Sequence, residues 1–188
     1  MKSSKITDWC HHFIAEAVKE GDLCADATMG NGHDTVLLSK LTGPSGHVFA
    51  FDIQEEALNR TRLLLHTSDC PDNTTLLLKT HTEMDTVLKP SSVSCITFNF
   101  GYLPGGDHTK ATTPKTSVPA IRKALPLLKP GGLMSLCIYS GKDTGFAEKE
   151  AILQFIKTLS PKDYLVLKTE YYNRPNHPPV PVLIYRLR

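Results

Sequence analysis

Apolar residues along this chain follow two alternating periods, one near 3.6 and one suited to short buried strands. Residues 8–20 place Trp9, Phe13 and Ala17 at i, i+4 spacing, the stripe of an amphipathic helix capped by Thr7 or Asp8. Gly21-Asp22 breaks that helix, and an apolar run at 23–25 begins a strand. After Gly30-Asn31-Gly32, the positions of Val36, Leu37, Leu38 and Leu41 predict a second helix. Gly43-Pro44-Ser45-Gly46 turns the chain into a strand at 47–51, and 54–66 reads as helix. Strands follow at 75–80 and 93–98, then a polar, Gly/Pro-rich loop at 99–117. A helix at 118–128 stops at Lys129-Pro130-Gly131-Gly132. A strand at 133–139, a helix at 144–159 and two strands at 164–172 and 180–187 complete the pattern, with a proline-rich turn between the last two.

Strand and helix alternate through most of the chain, which predicts a mostly parallel sheet with helices on both faces. The final two strands have no helix between them, so they pair antiparallel at one edge. The expectation is a single α/β domain over 1–188 built on seven strands. Ligands on such sheets bind at the carboxyl ends of the strands, so the residues just past each strand carry the functional reading.

Composition narrows the class. No segment approaches the roughly 18 apolar residues of a membrane span. The opening MKSSKITDWCHHF lacks the apolar stretch of a secretory signal, which predicts a cytoplasmic protein. The cysteines at 10, 24, 70, 95 and 137 are too scattered for a disulfide scaffold or a zinc site, and no metal is expected. His11 and His12 do not form a metal pair, because adjacent helical residues point to different faces. Charge is uneven: residues 1–104 carry 8 basic and 13 acidic side chains, net −5, whereas 105–188 carry 13 and 6, net +7. A basic second half suits either a polyanionic partner or a set of solvated helix faces.

The first strand runs into Asp26-Ala27-Thr28-Met29-Gly30-Asn31-Gly32-His33-Asp34. Glycines there let the backbone approach a ligand closely. Asp52 ends the second strand, 20 residues after Gly32, placed to accept hydrogen bonds from ribose hydroxyls. The extra acid at Asp26 decides between cofactors: it repels a pyrophosphate, but it suits the ammonium group of S-adenosylmethionine. Thr35 also replaces the third glycine of the dinucleotide fingerprint. Asp26, Thr28, Gly30, Asn31, Gly32, His33 and Asp34 form the expected loop side of the cofactor site, and Asp52, Ile53 and Gln54 the adenosine side. Past the third strand, Thr82 and Glu83 suit the adenine edge and Met84 its face; the competing reading of that group is a plain helix cap.

Asn99-Phe100-Gly101-Tyr102 follows the fourth strand, beside the transferable methyl in this architecture. A polar residue, a turn and an aromatic ring resemble the Asn/Asp-Pro-Pro-aromatic motif of amino methyltransferases. In that motif the Asn oxygen and a backbone carbonyl hold the target nitrogen while the ring stacks on the target base. Phe100-Gly101 replaces the two prolines here. The target nitrogen of an alkyl amine must shed a proton, and Asp107 or His108 is placed to take it. The bland alternative is a glycine turn over a buried Tyr102.

Five blocks in order, Asp26–Asp34, Phe51–Gln54, Asn99–His108, Thr112–Thr116 and Tyr172–Pro179, resemble the rRNA-methylase-like family of bacterial class I, Rossmann-like methyltransferases, including its MnmM-type tRNA methyltransferases. The resemblance implies methylation of a tRNA wobble uridine, from 5-aminomethyl-2-thiouridine to 5-methylaminomethyl-2-thiouridine. S-adenosylmethionine is then the donor, and the anticodon loop of tRNA the partner. With no appended RNA-binding domain, the basic second half would face the RNA, with a homodimer as an added source of surface. Lys110 and Lys115 suit phosphates, and Tyr172, Asn173, Arg174 and Asn176 suit substrate; an edge-strand or dimer role fits the last group equally well. Other readings are an rRNA, protein or small-amine acceptor, a nicotinamide-dependent oxidoreductase, and a non-catalytic RNA-binding module.

Overall fold

The computed structural model describes residues 5–101, 111–140 and 145–188. In chain order the elements are α1 (Ile6–Ala17), β1 (Leu23–Asp26), α2 (His33–Thr42), β2 (His47–Asp52), α3 (Glu55–Thr67) and β3 (Thr74–Leu78). A 3-10 segment (His81–Thr86) leads to β4 (Val93–Phe100), α4 (Pro114–Ala124), a 3-10 turn (Leu125–Leu127), β5 (Leu128–Ile138), α5 (Phe146–Lys157), β6 (Tyr164–Lys168) and β7 (Val180–Arg186). The strands form one seven-stranded sheet in the order β3-β2-β1-β4-β5-β7-β6. β1 to β5 are parallel, and β7 inserts antiparallel between β5 and β6.

Side-chain alternation sorts the strands' residues between two layers. Cys24, Val48, Cys95, Leu133 and Leu183 meet Ile14 of α1, Val18 just past it and Leu38 of α2. On the opposite face, Ala25, Phe51, Ile96, Phe98, Phe100, Met134 and Leu136 pack with Ile121 of α4 and Ile152 and Ile156 of α5. β4 is buried along nearly its whole length, as a central parallel strand must be. Its alternation sends Phe98 and Phe100 to the α4/α5 layer, where their rings stack with centroids 5.0 Å apart. Asn99, between them, faces the α1/α2 layer.

Several boundaries move from the sequence reading. α1 begins at Ile6, so Thr7 and Asp8 lie within its first turn instead of capping it. β4 continues to Phe100, which puts Asn99 inside the strand. α4 starts at Pro114, where Thr113 and Thr116 close a capping box, and not at residue 118. Lys129-Pro130-Gly131-Gly132 is not a stop between elements but the opening of β5, which pairs with β4 through an irregularity between Val93 and Cys95.

Candidate active site

The loop after β1 is shaped from two sides. Gly30 and Gly32 take left-handed backbone angles, φ 52° and 84°. A Cβ on Gly32 would sit 2.9 Å from Thr61 Oγ1 and 3.0 Å from Thr61 Cα on α3, so only glycine lets the loop lie against that helix. Gly32 N–H donates to the Met29 carbonyl at 2.7 Å, and Gly32 then opens α2. Asp52, at the end of β2, accepts from Gly30 N–H and from Gln54 N–H, both at 3.0 Å. Burial raises its pKa, and the amide bonds oppose that rise. An ionised carboxylate keeps further lone pairs after two such bonds, so Asp52 can still accept from a ligand hydroxyl. Beside it Ile53 is 53% exposed, an aliphatic face at the strand end.

At the next strand end, Asn99 N–H donates to Thr28 Oγ1 at 2.7 Å, which stitches β4 to the loop after β1. Asn99 Nδ2 donates to Asp34 Oδ2 at 2.8 Å, and His11 Nε2 donates to Asp34 Oδ1 at 2.6 Å. Three elements (α1, α2 and β4) therefore meet at one carboxylate. Bonding to Asp34 raises the His11 pKa, while burial opposes it. Beneath them lies Asp26, fully buried, accepting from Thr35 Oγ1 at 2.6 Å and from Thr28 N–H at 3.3 Å. Burial, with the charge of Asp34 adding to it, pushes the Asp26 carboxyl up to about 7.

The base of the loop after β4 is clamped. Gly101 N–H donates to Thr112 Oγ1 at 2.8 Å, and Thr112 N–H donates to the Gly101 carbonyl at 2.9 Å. Thr112 Oγ1 also donates to Glu148 Oε2 at 3.0 Å, and Ser117 Oγ donates to Glu148 Oε1. Glu148 is only 2% exposed, and burial raises its pKa. Three polar atoms at this end of the sheet are buried without a partner among the described residues: His81 Nε2, past β3, Thr97 Oγ1 on β4, opposite Asp26, and Ser140 Oγ, past β5. Burial pushes the His81 imidazole down to about 4, so it is neutral.

A sequence model of the family described as "Putative rRNA methylase" matches residues 48–185. The chain belongs to this rRNA methylase family. A "tRNA (mnm(5)s(2)U34)-methyltransferase, chloroplastic" of Arabidopsis thaliana is 34% identical over 193 residues, covering 98% of this chain and 69% of the relative. A "putative rRNA-methylase" structure from Clostridium thermocellum is 41% identical and superposes with a TM-score of 0.94, covering 99% of this chain and 100% of the other. A "putative methyltransferase" from Streptococcus mutans in complex with SAH is 35% identical, with a TM-score of 0.88 and all of both chains covered.

In this rRNA methylase family member the expected residues separate into groups. Thr28, Gly30, Gly32, Asp34, Asp52, Ile53, Gln54 and Asn99 come together around the ends of β1, β2 and β4. Asp52 and Ile53, beside the glycine loop, suit an adenosyl group, with a carboxylate that keeps spare lone pairs and an exposed aliphatic face, whereas Asp34 and Asn99 bond to each other at the end of β4. Asp34 and Asp52, two carboxylates beside one loop, oppose a phosphate by like charge.

Other residues are placed differently. Asp26 is spent on Thr35 and Thr28 beneath the loop and offers no open edge to an ammonium group. Asn31 turns its side chain to Arg60 on α3 at 2.9 Å, and His33 lines the same surface groove. Met84 is core, fully buried in the cluster of Phe98 and Phe100, so it does not cover an adenine. Glu83 closes a capping box on Thr80, which replaces Thr82 as the cap residue. Tyr102, Asp107, His108 and Lys110 lie outside the described residues. His11, Thr112 and Glu148 are site residues that sequence reasoning missed. For Glu148 a signal existed: it shares the four-residue spacing of Ile152 and Ile156, which marks the buried stripe of α5.

Proposed function

We propose that this protein methylates the wobble amine of tRNA, converting 5-aminomethyl-2-thiouridine to 5-methylaminomethyl-2-thiouridine in the anticodon loop. The observation that carries the reading is Asn99, a side-chain amide fixed at the carboxyl end of β4 beside the Gly30–Gly32 loop. The 34% identity to a tRNA wobble methyltransferase over nearly the whole chain supports the choice of acceptor. When bound, S-adenosylmethionine supplies a methyl already activated by a positive sulfur and leaves as S-adenosylhomocysteine. The glycine loop, Asp52 and Ile53 hold the adenosyl end. Asn99 Oδ1 accepts an N–H from the target amine and so aims its lone pair, a positioning role that needs no strong acid or base. The amine begins as an ammonium near neutral pH and must lose a proton; Asp107 and His108 are the proposed acceptors.

RNA is met at the same end of the molecule. β7 begins where β5 ends, so the turn at 169–179 opens on the side of the strand carboxyl ends. His177 in that turn stands edge-on to Phe146 at the start of α5, with centroids 5.1 Å apart. Tyr172 is 99% exposed, a ring free to stack on a base. Asn173, Arg174, Asn176 and Lys115 are exposed around the same rim, for phosphate and base contacts. The cytoplasm is the proposed location. No helix among the described residues is long and apolar enough to cross a membrane.

The test offers the protein labelled S-adenosylmethionine with tRNA, ribosomal RNA or a simple alkyl amine. Label in tRNA, with a substrate affinity that falls steeply as salt rises, supports the reading. Label in ribosomal RNA or in the free amine, or a flat salt response, contradicts it.

A further inference from the structure

We infer that Asp34 and His11 are positioning residues for methyl transfer, which act by locking the side-chain amide of Asn99 so that its oxygen faces the acceptor. The inference rests on the reading of Asn99 as the group that holds the target amine.

An amide has one accepting end and one donating end, and it can rotate by half a turn about its last bond. An ionised carboxylate only accepts. Asn99 Nδ2 lies 2.8 Å from Asp34 Oδ2, so the donating end is committed and Oδ1 points the other way. The flipped amide would put its oxygen against the Asp34 carboxylate, two acceptors with no proton between them. Asp34 in turn is not free to swing. Its other oxygen takes the His11 Nε2 proton at 2.6 Å, and its side chain is only 13% exposed. The geometry of a short, charge-assisted pair makes this the stiffest link of the chain. Asp34, first, and Cys10 and Asp8 after it, favour the charged imidazole against the effect of burial.

The backbone explains why these three residues meet. Asn99 faces the α1/α2 layer by strand alternation, in the same register row as Cys137 on β5. Asp34 sits in the first turn of α2, where the helix end favours an acid. His11 reaches across from α1, packed on the same layer. The backbone N–H of Asn99 is held separately by Thr28 Oγ1, so the side-chain lock adds orientation to a position already fixed. A loose amide would spend part of its time with the donating end toward the amine, unable to accept from it.

The experiment combines kinetics with a double-mutant cycle on the full chain. Asn99→Ala and Asp34→Ala should each lower kcat roughly 10- to 100-fold, the range that misplacement of a reacting group produces. Cofactor affinity, by calorimetry, should change less than threefold in both. The double variant should be no slower than the worse single variant, because Asp34 acts through Asn99. His11→Ala should fall in the same direction, and His11→Gln, which keeps a donor, should recover most of that loss. Losses that multiply in the double variant, or a cofactor affinity that falls in step with kcat, would overturn the assignment. NMR of the labelled protein gives a readout that needs no acceptor: the Asn99 Nδ2 protons should exchange slowly and should speed up in His11→Ala. Fast exchange in the unaltered protein would sink the lock. If the protein methylates no tRNA, the functional reading fails, while the amide exchange and cofactor measurements still judge the lock by themselves.

Discussion

Gly32→Ala tests the cradle most sharply, because two independent costs fall on one added carbon. The residue holds φ 84°, in the left-handed region, where a Cβ costs roughly 1–2 kcal/mol. The new Cβ would also stand 2.9 Å from Thr61 Oγ1 and 3.0 Å from both Thr61 Cγ2 and Cα. Crowding of that kind in packed surroundings costs about 1–3 kcal/mol. Together the loss is about 2–5 kcal/mol, which for a chain of this length lowers Tm by roughly 10 °C. Thr61→Ala removes Oγ1 and Cγ2 but leaves Cα, so it should restore part of the crowding cost and none of the backbone cost. Urea unfolding of the two single variants and the double variant, at constant m-value, measures each share. A Gly32→Ala protein within about 1 kcal/mol of the parent would refute the reasoning. So would full additivity with Thr61→Ala, which would mean that the two side chains do not meet.

Three further outcomes follow from the same geometry. Asp26 titrates near 3.8 in an unfolded chain and at about 7 in the fold, so its neutral form stabilises the protein fully below the lower value, and that contribution is lost as pH rises through the upper one. Asp26→Asn should therefore gain on the parent between about pH 4 and 7, by on the order of 4 kcal/mol, and a pH-independent difference in urea unfolding would contradict this. Asp52→Ala should weaken S-adenosylmethionine binding by roughly 1.5–3 kcal/mol, about 10- to 150-fold by calorimetry, with kcat at saturating cofactor little changed. Thr112→Val leaves the buried Glu148 oxygen and the Gly101 amide without their hydroxyl partner; urea unfolding should show a loss of about 1–3 kcal/mol, and an unchanged midpoint would remove the clamp.

The alternation of strands and helices was legible because each element carries an apolar stripe, as in the nearly all-buried β4, although in α1 the buried positions are Cys10 and Ile14 and the row Trp9-Phe13-Ala17 is only partly covered beside them. The β5 opening was not. Lys129-Pro130-Gly131-Gly132 carries every local sign of a helix stop, yet a Cβ on Gly132 would come within 2.9 Å of the Lys129 carbonyl and 3.1 Å of the Val93 carbonyl. The glycine there answers a close approach of two strands, a tertiary fact with no local signature. That Asp52 meets the glycine loop could be read because the two sit at fixed offsets along the chain, at the ends of adjacent strands. His11 could not, since its partner Asp34 lies 23 residues away and the pairing exists only once α1 and α2 share a layer. Met84 misled for the opposite reason: its neighbours Thr82 and Glu83 are polar, but the 3-10 segment turns Met84 into the core.

The proposed reaction is tested most directly by nucleoside mass spectrometry of tRNA taken from cells lacking this protein and incubated with the purified protein and S-adenosylmethionine. On the proposed reaction, 5-aminomethyl-2-thiouridine disappears and its methylaminomethyl form, heavier by one methyl group, takes its place at the wobble position. A methyl group on any other nucleoside, or the amine left intact while cofactor is bound, would contradict it.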